Sequence, residues 1–221
     1  MVSSILVIVA IAVVKVFLLG NDDDHDAATN QLTDSEADAA QQAAEGDCMP
    51  EQYGSGPGEE LIVPCDDPRA YWTITKIDDD AAVSVSEGDV TYLQDAFDIC
   101  GEEVYARIPG EAWVDYNFFE VNGTTEQFFC LEAVQEPNTT GQIPKTPGVG
   151  ACFDDLSWAT VDCSDSAAEA EVIDAVPVSP PEELSESDAE ALANQCSGGA
   201  YYWQVIDPLG RTGGVVCGNE L

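Results

Sequence analysis

Eight cysteines in two sets of four constrain this 221-residue chain more than any other feature. Cys48, Cys65, Cys100 and Cys130 make up the first set, and Cys152, Cys163, Cys196 and Cys217 the second. Within each set the spacing runs medium, long, medium, the pattern of one small unit used twice. Structural zinc sites present their cysteines as close pairs, separated by about two to four residues. The closest pair here, Cys152 and Cys163, stands 11 apart, and the single histidine, His25, falls outside both sets. Disulfides are therefore expected, and with them an oxidising compartment outside the cytoplasm. Small domains bury too little apolar surface to be stable without such staples.

Aligned on cysteine, the two halves match element by element. Gly46-Asp47-Cys48 opens one and Gly150-Ala151-Cys152 the other. Short apolar strands are expected over 61–65 and 159–163, each followed by polar turn residues, Asp66-Asp67-Pro68 and Ser164-Asp165-Ser166. Runs over 71–77 and 170–176 have strand composition. Val90, Leu93, Phe97 and Cys100 trace a helical stripe, as do Ala189, Leu192, Ala193 and Cys196. Ser187, with Glu190 three residues on, predicts the start of the second helix. Aromatic strands close each half, over 113–119 and 127–131 in the first and over 201–206 and 213–217 in the second.

The expected fold class is α+β: an N-terminal transmembrane helix followed by two small disulfide-stapled α+β modules in tandem. The expected segments are an anchor at 1–20, an acidic linker at 21–45, a first four-cysteine module at 46–134, a Pro/Gly-rich linker at 135–149 and a second module at 150–221. Four cysteines allow three pairings in each module. If the first two strands form a hairpin, their cysteines come within disulfide reach near its open end. That geometry favours Cys48–Cys65, Cys100–Cys130, Cys152–Cys163 and Cys196–Cys217.

Between Val2 and Leu19 only Ser3, Ser4 and Lys15 are polar. Eighteen helical residues at ~1.5 Å each span roughly 27 Å, close to a bilayer core of ~30 Å. The segment shows neither a basic n-region nor a small-x-small cleavage site, so an uncleaved single-pass anchor is expected. The cysteines place the C-terminal bulk outside the cell membrane. Lys15 then snorkels to the outer interface or meets a carboxylate or carbonyl on a partner helix. In the linker, Asp22-Asp23-Asp24-His25-Asp26 suggests calcium, but Ala27 stands where an EF-hand loop beginning at Asp22 needs glycine. A solvated charge run is the simpler reading.

A formal net charge of −37, from 43 acidic and 6 basic side chains, excludes nucleic acid as a partner and disfavours anionic lipid surfaces. It favours basic proteins. No catalytic machinery is legible. With His25 alone, in the linker, no Ser-His or Cys-His pair can form within the modules. No P-loop, dinucleotide fingerprint, haem motif or Cys-x-x-Cys occurs, so no cofactor is expected. Carboxylates are too abundant for a glycosidase-like pair to stand out. Tyr201, Tyr202 and Trp203 are candidate partner contacts, although strand aromatics more often belong to a core.

The second half resembles the septum-formation domain of actinobacterial envelope proteins, related pieces of which occur in LppU-like lipoproteins. The residues that carry the resemblance are Gly150-Ala151-Cys152, Val161-Asp162-Cys163, Cys196, Tyr201-Tyr202-Trp203 and Cys217. The first half carries the same frame more divergently. The resemblance implies an extracytoplasmic envelope domain and brings no catalytic residues with it. The expected function is a non-catalytic, membrane-anchored accessory or scaffold subunit of an integral membrane protein complex, in the division machinery or in respiratory-chain assembly. A basic extracytoplasmic protein, such as an electron carrier, would suit its charge. The alternatives are a free-standing envelope ligand-binding or sensor protein and, third, a carboxylate-dependent hydrolase.

Overall fold

The computed structural model describes residues 39–51, 60–86, 89–121, 124–154 and 156–221. The expected anchor with Lys15, and the linker through residue 38 with His25, lie outside the described residues. No helix among the described residues is long and apolar enough to cross a membrane. All the described residues belong to one compact unit. Its structure is mixed and strand-rich.

The first half contributes β1 (Cys48–Pro50), β2 (Ala70–Asp78), β3 (Val85–Ser86), β4 (Asp89–Val90), α1 (Leu93–Cys100), β5 (Val114–Val121) and β6 (Thr124–Ala133). The second contributes β7 (Cys152–Asp154), β8 (Ala159–Val161), β9 (Ala170–Glu182), α2 (Glu186–Ala193), β10 (Tyr201–Ile206) and β11 (Thr212–Glu220). The first large sheet runs β1-β2-β6-β5 and the second β10-β11-β9-β7-β8, with β3 and β4 forming a separate pair. Adjacent strands are antiparallel throughout. Val63 forms an isolated bridge to Cys48 on the free side of β1, where β8 pairs with β7. With Val63 standing in for β8, the two sheets have the same strand order. The strand expected over 61–65 is reduced to this one bridge.

Four disulfides join Cys48–Cys65, Cys100–Cys130, Cys152–Cys163 and Cys196–Cys217, with no free cysteine. This is the pairing that hairpin geometry favours, with one difference. Cys48 lies opposite Val63 and Cys152 opposite Val161, so the bonded cysteine lies two residues further on. The chain turns there, which brings both pairs to the same Cα–Cα distance of 5.1 Å. Sequence separations of 11, 17, 21 and 30 residues correspond to about 3 kcal/mol per bridge in the chain-entropy model.

α1 and α2 are each eight residues long and end differently. α1 stops at Gly101, whose N–H still donates to the Phe97 carbonyl and whose φ of 98° turns the chain that follows out of the helix. α2 is capped by Ser185, which accepts a hydrogen bond from the Asp188 N–H. Ser187 and Glu190 form a second Ser-x-x-acid frame in the sequence, but the backbone is already helical at Ser187. α2 ends at Ala193, and Cys196 sits in the turn beyond it rather than on the helix. Val90, expected at the head of the first helical stripe, belongs to β4 instead.

Each sheet is covered on both faces. Tyr116 and Phe128 pack with Ala96, Val104, Ala81 and Val83 on the α1 face. Ile74, Phe129, Leu131 and Trp113 pack on the other face, where Ala159 from the second half joins them. In the second sheet Phe153, Val172, Val205 and Val216 form one face, and Ala189, Val215 and Cys217 the α2 face.

The halves meet along a tight seam. A Cβ on Gly213 would collide with the Arg107 carbonyl, and one on Gly214 with the Pro109 ring. The Pro/Gly-rich segment expected as a linker is fastened on two sides. Lys145 bridges to Ala112 and Ile143 to Thr160, while the Thr146 N–H donates to the Glu111 carbonyl.

Candidate interaction surface

Five of the chain's six basic residues lie in the described region, and each has an assigned structural partner. Arg69 pairs with Asp67 at 2.8 Å and Glu60 at 3.0 Å, and holds the Asp67 carboxyl down at about 2. Lys76 Nζ donates to the Ile99 carbonyl at the end of α1, where a cation suits the helix dipole. Lys145 Nζ donates to Gln135. Arg107 donates to the Tyr105 and Ala106 carbonyls and lies 4.0 Å from the centre of the Trp113 ring. Burial lowers its pKa to about 10. Arg211 pairs with buried Asp207 at 2.8 Å, reaches across the seam to the Glu102 and Val104 carbonyls, and stacks over Phe97.

The consequence is electrostatic. Arg107 and Arg211 are engaged in the seam, whereas Arg69 and Lys76 stay exposed beside local acids and a carbonyl, and so few cations leave the exterior strongly acidic. This division of labour was not legible from the sequence, although the scarcity of Arg and Lys was a signal. Asp207 and Arg211 pair locally across the turn between β10 and β11, but only the seam carries Arg211 to the Glu102 and Val104 carbonyls. Half-buried Asp115 is pushed up to about 6 by desolvation, which the Tyr116 N–H and Arg107 only partly oppose.

Three of the four outer edges of the two large sheets are closed. β1 is covered by Val63, whose N–H donates to the Cys48 carbonyl. β8 is covered by Ile143 and Lys145, whose carbonyls accept from the Thr160 N–H. β5 is closed by two devices. The Tyr105 N–H takes the Val114 carbonyl, and Asp115 and Asn117 each accept from the next residue's N–H, that of Tyr116 and Phe118, at 2.7 Å.

The fourth edge is β10, Tyr-Tyr-Trp-Gln-Val-Ile. Register alignment through Cys130 and Cys217 places Tyr202 where Tyr116 stands, and Gln204 where Phe118 stands. The self-capping Asp115 and Asn117 correspond to Tyr201 and Trp203, which have no side-chain acceptor placed to close the edge in that way. Among the described residues, no group outside the sheet accepts from the Tyr202 or Gln204 N–H. β10 also lacks lysine and proline, the usual guards of an exposed edge.

The three aromatic residues singled out by sequence have different placements. Tyr201 is 53% exposed and Tyr202 40% exposed. Trp203 is half-buried, edge-on to Phe153 with ring centres 5.4 Å apart, so it belongs to the core it supports. Ile206 and Leu209 extend the exposed apolar strip. A cavity of about 320 Å³ lies beside it, lined by Glu190, Ala193, Cys196, Tyr201, Tyr202 and Cys217. A second groove, of about 540 Å³, follows the seam and is lined by Glu103, Glu111, Glu132, Lys145, Pro177 and Ser179. Asp115 is not part of its lining. Among the described residues no group of three or more His, Cys, Asp or Glu side chains is arranged to hold a metal ion. The surface offers an open ladder of backbone groups, flanked by tyrosines and set in an acidic field.

No family model, curated protein or solved structure matches this chain.

Proposed function

We propose that the chain is a non-catalytic, membrane-anchored extracytoplasmic accessory or scaffold subunit of a cell-envelope membrane complex, in the division machinery or in respiratory-chain assembly. The resemblance to septum-formation and LppU-like envelope domains points the same way. In this reading residues 1–20 hold the protein in the cell membrane, with Lys15 at the interface or against a partner helix. The two stapled halves are copies of one α+β module, fused along a seam into a rigid body. Their matching strand order and disulfide positions support that descent.

The observation that carries the reading is the open edge of β10, bearing exposed Tyr201 and Tyr202, on a body whose other large-sheet edges are closed. An edge of this kind is an aggregation hazard unless something covers it. Solubilising native membranes in mild detergent, without reductant, and purifying the full chain tests the proposal. Stoichiometric co-purification with integral membrane proteins is expected, and a chain that migrates alone overturns it. A free-standing ligand-binding or sensor protein is the second reading, favoured by the seam groove of about 540 Å³, and it predicts the solitary outcome.

A further inference from the structure

We infer that β10 receives an extended, basic segment of a partner protein as an added strand of the five-stranded sheet. This rests on the subunit reading and names how that subunit would hold its partner.

Three features converge on β10. The Tyr202 and Gln204 positions match those whose N–H groups the first half caps with Asp115 and Asn117, and here those caps are missing. An incoming strand satisfies such a row through its main chain, and flanking pockets select its alternate side chains. The pocket lined by Tyr201, Tyr202 and Glu190, next to the Cys196–Cys217 bridge, is placed to take one of them. The platform is also rigid. β11 lies between β10 and β9, is buried on both faces through Gly218, and is tied by Cys217 to the turn after α2.

Charge identifies the occupant. β10 itself is uncharged, but it sits on a chain of net charge −37, with Glu190 in the adjoining pocket and Glu220 at the end of the neighbouring strand. A second copy pairing edge to edge would bring an equally acidic body to the same place, and an acidic peptide would be repelled. A strand rich in lysine or arginine gains long-range steering as well as the ladder.

Two synthetic ten-residue peptides test this on the full, oxidised chain in mild detergent: one alternating lysine with valine and threonine, the other with glutamate in place of lysine. The lysine peptide is expected to bind in a salt-sensitive manner and to slow hydrogen exchange at the Tyr202 and Gln204 amides. Methylating alternate backbone nitrogens of that peptide removes its pairing edge without altering the protein, and is expected to abolish the protection. Tyr202→Lys, at an exposed position that leaves the core intact, is expected to weaken binding about tenfold. Binding that leaves β10 exchange unchanged overturns the inference, as does equal binding of the methylated peptide. So does failure of the lysine peptide to bind, or protection that arises from concentrating the protein alone. If the chain co-purifies with a membrane complex but β10 remains unprotected, strand addition fails and the subunit reading survives. If the peptide protects β10 but the chain migrates alone from native membranes, strand addition stands and the subunit reading falls.

Discussion

The two halves share one strand order and one set of disulfide positions, yet they treat the same face of the sheet in opposite ways. In the first half Tyr116 and Phe118 stack on Phe128, with ring centres 5.3 and 6.3 Å apart. The β3–β4 pair closes over them, and the Tyr116 hydroxyl donates to Asp89. In the second half the corresponding residues are Tyr202, Gln204 and Val215. Valine and glutamine cannot continue an aromatic stack. Gln204 instead donates to the Leu184 carbonyl and to Thr212, and no described counterpart of the β3–β4 pair covers Tyr202. A clamp from the first long strand of each half, β2 or β9, to the helix end or the turn after it occurs in both halves with its charge reversed. Lys76 donates to the Ile99 carbonyl, whereas Asp174, in the corresponding place, accepts from the Ser197 N–H and hydroxyl. One copy of the pattern has been closed into a core, and the other presents its edge.

The largest expected effect separates those two roles. Phe128 is fully buried at the centre of the first stack, so Phe128→Ala is expected to cost about 3–5 kcal/mol in urea unfolding with the disulfides intact. Tyr202→Ala, at the matched face of the second half, is expected to change stability by no more than about 0.5 kcal/mol. Equal losses at the two sites would break the comparison.

The next effect tests whether the halves unfold together. Arg211→Ala leaves Asp207 buried without its cation and removes two bonds across the seam. A loss of about 3 kcal/mol is expected. In calorimetry the single transition should move down as a whole or split in two. A wild-type trace already showing two independent transitions would mean that the seam does not couple the halves.

A smaller effect reads the burial of Asp115. Its carboxyl rises from 3.8 to about 6 on folding. Between about pH 4 and 6 the folded state keeps a proton that the unfolded state releases, so stability falls as pH rises through that window. Asp115→Asn mimics the protonated form and keeps the acceptor for the Tyr116 N–H, the role Asn117 already plays for Phe118. The variant is expected to be more stable than wild type by about 2 kcal/mol at pH 7 and nearly equal to it at pH 4, in melts across that range. A difference independent of pH would show that the carboxyl is not penalised by burial.

Much of this arrangement was legible in the residues. The strand at 201–206 lies where its composition placed it, and the long strands over 70–78 and 170–182 contain the runs that predicted them. Misplacements occurred where two local signals competed. Ser185 and Ser187 both head a Ser-x-x-acid frame, and backbone entry into α2 selected the first. The Pro/Gly-rich stretch near 135–149 has linker composition, but its backbone groups found partners on both sides of the seam. Tyr201, Tyr202 and Trp203 look alike as a sequence run. Strand alternation put Tyr202 on the face opposite Trp203, whereas Tyr201 shares the face of Trp203 and is exposed because it lies at the end of the strand, beyond Phe153.

The sequence by itself determined the staples, the position of the long strands and the sign of the surface, because cysteine spacing, residue periodicity and charge composition can be read without knowing what packs against what. Tertiary structure decided which cations serve the interior, which carboxyl is pushed up by burial and which of four sheet edges stays open. Those outcomes depend on what comes to lie against each group. Residues far apart in the chain, such as Arg211 and Val104 or Thr160 and Ile143, are brought together by the packing of the whole.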